Sequence, residues 1–263
     1  INCTNKLNIV MKKIIIICLF FGLNNCSQDR DISLSPVAIT INFAHSWGED
    51  EISSSDFDEL KFTNENEQTL SINRLRYVIS EITLIHESGE LTVLNDYNLV
   101  DLTNEAGLSF TTSESILPGD YVSASFRFGF SNNLNIDGAY PDLNSALFNV
   151  PGLLGGGYHF MQLDGMYIDN NNQEAAYNYH VINAFDASNP NENVETSFSV
   201  NIGGLNIGSN TNINMKMDVS EWFKNPNMWD LDEFDTNLMG NYDAQLLMNQ
   251  NGSSVFDLVS ITQ

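Results

Sequence analysis

Tyr121–Phe130 reads YVSASFRFGF, and its alternation decides the fold class. Phe126, Phe128 and Phe130 fall on one side with Arg127 and Gly129 between them, the period-two signature of a strand with one buried face. The same signature recurs in both directions. Ile39, Ile41, Phe43 and His45 share one face of a first strand, and Thr40, Asn42 and Ala44 the other. Leu75–Ile85 is a longer apolar run rich in β-branched residues, followed by Leu91–Leu94 and Tyr97–Leu102 with an Asn95-Asp96 turn between them. Further strands fit Tyr158–Tyr167, Tyr177–Asn183, Val194–Leu205, Thr211–Val219 and Ser254–Ser260, punctuated by Pro118-Gly119-Asp120, Asp137-Gly138, Asp169–Asn172 and Gly203-Gly204. Many short strands with dense turns predict an all-β fold, a Greek-key-like β-sandwich with long loops. Only the carboxyl end departs: Ser220–Lys224, stopped by Pro226, predicts one helical turn, and Asp235–Asn249 a short helix.

The amino end reads as an address. Met11–Cys26 is MKKIIIICLFFGLNNC, with two lysines, an apolar segment too short to span a bilayer, and a Leu-x-x-Cys outline that makes Cys26 the expected lipidated residue. Asn25 departs from the small residue usual before such a cut. This divides the chain into 1–25 (upstream residues and signal peptide), 26–36 (lipidated Cys26 and a polar tether) and 37–263 (one β domain). Localisation follows as exported and lipid-anchored, at the outer membrane or cell surface, with attachment through lipid. Of the three cysteines, Cys3 and Cys18 fall in the segment to be removed, which excludes a disulfide framework and a thiolate metal site.

With 34 acidic residues against 10 basic, the net charge is −24. Such a surface repels nucleic acid and attracts cations over a Debye length of about 8 Å. No G-x-S-x-G, no H-E-x-x-H, no phosphate loop ahead of a helix and no cysteine nucleophile is present, so the sequence points away from an enzyme. Gly155-Gly156-Gly157 precedes a strand. The acidic groups at Glu49–Asp58 and Asp230–Asp235 lack the EF-hand register and read as solvated loop charge.

Four histidines, His45, His86, His159 and His180, are the available nitrogen ligands, and imidazole suits copper and zinc. No two are close enough in sequence to chelate locally. His45 closes the apolar face of its strand at the rim of the core. His180 alternates with Asn178, opposite the face of Tyr177, Tyr179 and Val181. His159 shares a face with Met161 and Leu163, and His86 ends a strand before the Ser88-Gly89 turn. A satisfied core histidine fits His45 and His180 equally well on pattern alone. Met161, Met215 and Met217 read as core.

Several segments, taken in order, resemble the MbnP-like family of exported bacterial copper-binding proteins. They are INFAHSWGED (41–50), LRYVISEITLIHESGE (75–90), SFRFGFSNNLN (125–135), GYHFMQLDG (157–165), YNYHVINAF (177–185), DVSEWFKNP (218–226) and NLMGN (237–241). No one segment is specific by itself; the ordered set, which spans nearly the whole domain, is. The resemblance implies one copper ion held by histidines together with a kynurenine made by oxidising a tryptophan, a step assigned to a dihaem peroxidase-like partner. Carried over, His45 and His180 become the expected metal ligands, with His159 and Trp47 as weaker candidates. The segment before GYHFMQLDG departs from the family: Ala146–Pro151 carries no tryptophan where a Trp-rich stretch is expected, so the residue on which the modifying partner would act is missing from its expected place. The expected function is therefore non-catalytic copper capture or buffering. The alternative is a metal-free adhesion module that binds glycan or protein on the same sandwich.

Overall fold

The computed structural model describes residues 35–186, 188–189 and 193–263. The signal segment and Cys26 lie outside the described residues, as does all of the tether before Ser35.

Two sheets carry the fold. In the first, β1 (Ile39–Trp47) runs parallel to β8 (Thr211–Asp218), in register from Ile39 opposite Thr211 to Ser46 opposite Asp218. The strand β9 (Phe256–Thr262) pairs antiparallel on the far side of β8. The second sheet is built on β2 (Arg74–His86), long enough to take three partners. β3 (Leu91–Asp101) lies along one edge; β4 (Gly119–Phe128) and β5 (Met161–Ile168) share the other, β5 against the first residues of β2 and β4 against the rest. β6 (Glu174–Val181) extends the sheet beyond β5, and β7 (Phe198–Ile207) extends it beyond β4. Glu81 sits at a bulge in the pairing of β2 with both β3 and β4, at φ 48°, with its carboxylate receiving the Ser131 amide and Arg127. A positive φ at a non-glycine residue stores strain, here compensated by the ion pair.

The inner faces meet edge to face. The ring of Phe43 lies 6.0 Å from Tyr77 and 5.8 Å from Phe126, both near perpendicular, and Met215 and Met217 fill beside them. These aromatic pairs favour that geometry because a ring's positive edge meets its neighbour's negative face. The predicted all-β class holds, and the Met161, Met215 and Met217 core reading holds with them, since all three are buried.

Three local expectations change. Asn95-Asp96 makes no turn: β3 runs on through it, the two residues bulging opposite Glu81 between paired stretches on either side, while the Asp96 carboxylate holds the Ser113 amide. The predicted Val194–Leu205 strand divides, with β7 beginning only at Phe198. The carboxyl-terminal helix, α2 (Tyr242–Asn251), starts at an Asn241 cap whose side chain accepts the Ala244 amide, so Asp235 lies outside it. The short α1 (Pro141–Ser145), opened by its proline, was not anticipated. No helix among the described residues is long and apolar enough to cross a membrane.

Candidate metal centre

The sheet separates the two histidines expected to converge. His45 Nε2 lies 3.1 Å from the Tyr77 hydroxyl, in the layer between the sheets. Tyr77 pairs opposite Met161, whereas His180 pairs opposite Gln162, its immediate neighbour along β5. Successive residues of a strand face opposite sides, so Tyr77 and His45 occupy the inner face and His180 the outer. The joint role assigned to His45 and His180 is corrected accordingly: one sheet stands between them. Trp47 is also remote, its indole N–H donating to the Thr63 carbonyl at 3.1 Å and its ring packed on Phe62 and Phe223. His86 ends β2 against Tyr121, with Nδ1 engaged by Ser88.

What the outer face brings together is His159 and His180. Their ring centroids are 5.1 Å apart, near perpendicular. His180 is placed by β6 and turned by Asp164 of β5, whose Oδ1 lies 2.8 Å from its Nε2. The Asp164 carboxylate also accepts from Asn178 and from Arg74 Nε, both at 2.5 Å. Burial alone would raise its pKa, but His180, then Arg74 and Asn178, hold it at about 2. An ionised carboxylate can only accept, so the His180 Nε2 carries a proton, and in the neutral ring, the form that binds a metal, Nδ1 holds the lone pair. Gly165, next along β5, lies so near the Ser71 carbonyl that any Cβ there would collide with it.

His159 precedes the regular part of β5, and the expected face shared with Met161 is not kept. The chain is instead pinned by Phe148, whose carbonyl accepts both the His159 amide and Nδ1–H, each at 2.9 Å. A carbonyl can only accept, which fixes the proton on Nδ1. Burial, reinforced by the nearby charge of His180, Arg76 and Arg74, lowers the pKa of His159 to about 4, so the ring is neutral and Nε2 bears a lone pair. That nitrogen meets Met239 Sδ at 3.1 Å. A thioether has no proton to give and neither has Nε2, so the contact is no hydrogen bond. It is a contact between two lone-pair donors.

Met239 rides on a single 3₁₀ turn, Leu238–Gly240, held by the fully buried Gln245 of α2. The Gln245 amide donates to the carbonyls of His180 and Leu238 and accepts the Ile182 amide. One side chain thus ties the thioether's turn to the histidine's strand. Sequence reasoning named both histidines but missed Met239, Asp164 and Gln245; the segment NLMGN was singled out, yet nothing local in it marks its methionine as facing an imidazole. Among the described residues no group of three or more His, Cys, Asp and Glu side chains is placed to hold a metal ion. The third donor here is sulfur.

A family model described as MbnP matches residues 36–240. Among solved structures, MbnP from Methylosinus trichosporium aligns with a TM-score of 0.56 at 13% identity, over 86% of this chain and 99% of that one. At that identity the likeness speaks for the fold. None of the curated proteins compared matches the chain.

Proposed function

The chain belongs to the MbnP family, and from that premise we propose that it is a copper-binding protein whose ion is held by His159, His180 and Met239. The observation that carries the reading is the 3.1 Å approach of two protonless donors, His159 Nε2 and Met239 Sδ, beside a second imidazole whose Nδ1 has no hydrogen-bond partner among the described residues. Imidazole with thioether is a donor set suited to copper, with sulfur favouring copper(I). The surroundings agree: a metal-ligating histidine typically gives its other N–H to a carboxylate or a carbonyl, as His180 does to Asp164 and His159 to Phe148. When bound, copper here would supply affinity and redox capacity; the protein would supply its capture. In this proposal the protein is exported, tethered by lipid at Cys26, and buffers or passes on the ion without transforming a substrate.

Among the described residues no indole packs on either imidazole; besides His180, the ring beside His159 is Phe148, 5.6 Å away, in the very segment where a tryptophan is expected. The reading therefore needs no oxidised tryptophan and no dihaem partner, and the thioether stands where a third donor is required.

Copper titration of the purified protein against a competing chelator tests it. The expected result is about one ion per chain, with His159→Ala and His180→Ala each weakening binding at least ~100-fold, above the ~10–100-fold typical of outer-shell partners. Met239→Leu should weaken copper(I) more than copper(II), and His45→Ala should leave affinity unchanged. Retention of copper by a His159/His180 double variant would overturn the proposal and favour a binding module without metal.

A further inference from the structure

Two arginines border the same outer face in a chain that is short of positive charge. Arg74 and Arg76 lie two residues apart on β2, so their side chains leave the same side of the sheet about 7 Å from one another. Each is held by its inner nitrogen: Arg74 Nε by Asp164 at 2.5 Å, Arg76 Nε by Gln162 Oε1 at 2.7 Å. The Arg76 guanidinium is further fixed 5.3 Å above the Phe148 ring. Among the described residues the terminal nitrogens of both make no hydrogen bond and no ion pair. The obvious acceptors are already committed. Asp164 serves His180, Asn178 and Arg74, and Asp101, opposite Arg76 on β3, spends its oxygens on the Asn104 amide and side chain.

Side-by-side guanidinium groups repel, yet among the described residues no carboxylate bonds the terminal nitrogens of either. Their forks remain oriented, half-exposed and unfilled. We propose that Arg74 and Arg76 together form a binding site for a small carboxylate anion at the rim of the His159–His180 pair. A planar carboxylate matches the paired N–H groups of a guanidinium in a way a point charge does not. Arg74 shares the Asp164 carboxylate with His180, and Arg76 and His159 both pack on Phe148, so an anion seated there lies near the imidazoles. Where the copper reading holds, on which this last step alone rests, the anion is the ligand that accompanies the metal, and the preferred cargo is copper carried by a carboxylate-bearing chelator.

The test uses the full chain without metal. Acetate, citrate and inorganic phosphate are titrated at constant ionic strength while the arginine side-chain N–H and histidine ring signals are followed by NMR. Acetate and citrate should give saturable shifts at Arg74, Arg76 and His159, with citrate the tighter and phosphate weaker than both. Arg76→Gln should weaken citrate at least about tenfold, the loss expected of one charge-assisted hydrogen bond. Arg76→Lys, which keeps the charge and loses the fork, should fall between, and unchanged thermal melting would show that both variants fold. The proposal is overturned by the absence of saturable shifts, by equal citrate binding in wild type and Arg76→Gln, or by phosphate binding more tightly than either carboxylate. Because copper is absent throughout, failure here leaves the metal reading standing, and failure of the copper titration leaves this one standing.

Discussion

His45 and His159 are both buried imidazoles, and burial lowers the pKa of each to about 4. What differs is what meets their Nε2. In the inner layer it is the Tyr77 hydroxyl, which can donate as well as accept, so the pair closes as an ordinary hydrogen bond 3.1 Å long. On the outer face it is a sulfur that cannot donate, and the lone pairs are left facing. Burial and a neutral ring are thus shared by a packing histidine and a candidate ligand, and they distinguish nothing. The partner's ability to give a proton does.

The shared half of that comparison has a consequence for stability. An exposed histidine titrates near 6.5, whereas folded His45 titrates near 4. Between those values the unfolded chain binds the proton and the folded chain does not, so stability falls as pH drops through this window, by up to about 3 kcal/mol for one such group. His45→Gln keeps a polar group near Tyr77 and cannot titrate. Urea unfolding of the metal-free protein at pH 7.5 and at pH 4 should show an acid loss smaller by about that amount in the variant. An identical loss would mean that His45 is already charged in the native state, and the likeness between the two regions would end.

How far this contrast could be read in the sequence is itself instructive. Alternation put His45 with Ile39, Ile41 and Phe43 on a buried face, and His180 opposite Tyr177, Tyr179 and Val181; both placements hold. Taken together they already set the two rings on different sides of sheets, and the pairing drawn from family resemblance overrode that local signal. His159 was misplaced because the regular strand starts at Met161, and alternation says nothing about residues before the ladder begins. Met239 was out of reach for another reason. Its position depends on a turn held by Gln245, a long-range closure that no spacing records. Likewise Asn95-Asp96 carried turn chemistry, but the paired stretches that flank it along β2 outweighed it.

The outer region's own support offers a sharper break. Asp164→Asn preserves the shape beside His180 and an oxygen that can accept, but it removes the charge that Arg74 and His180 share. Copper affinity should fall about 10–100-fold, the usual cost of losing an outer-shell partner. Tyr77→Phe removes the corresponding partner of His45 and should leave copper affinity as it was. Equal effects of the two substitutions would show that the inner layer contributes to the metal site after all.

The smallest effect belongs to Trp47, the residue whose nearness to His45 in sequence made it a candidate ligand. Its ring fills the space between Phe62 and Phe223, 4.9 and 5.6 Å from each, and its one polar atom is spent on the Thr63 carbonyl. Trp47→Phe retains an aromatic filling while giving up that hydrogen bond and part of the ring, a loss of about 1–2 kcal/mol that chemical denaturation would read. Copper stoichiometry and affinity should not move, because the indole belongs to packing at the end of β1 and the donors stand across the sheet. A variant that melts only slightly earlier yet binds copper markedly less well would place an inner-layer aromatic within the ion's influence, and the separation of the two regions by one sheet would no longer explain which histidine is the ligand.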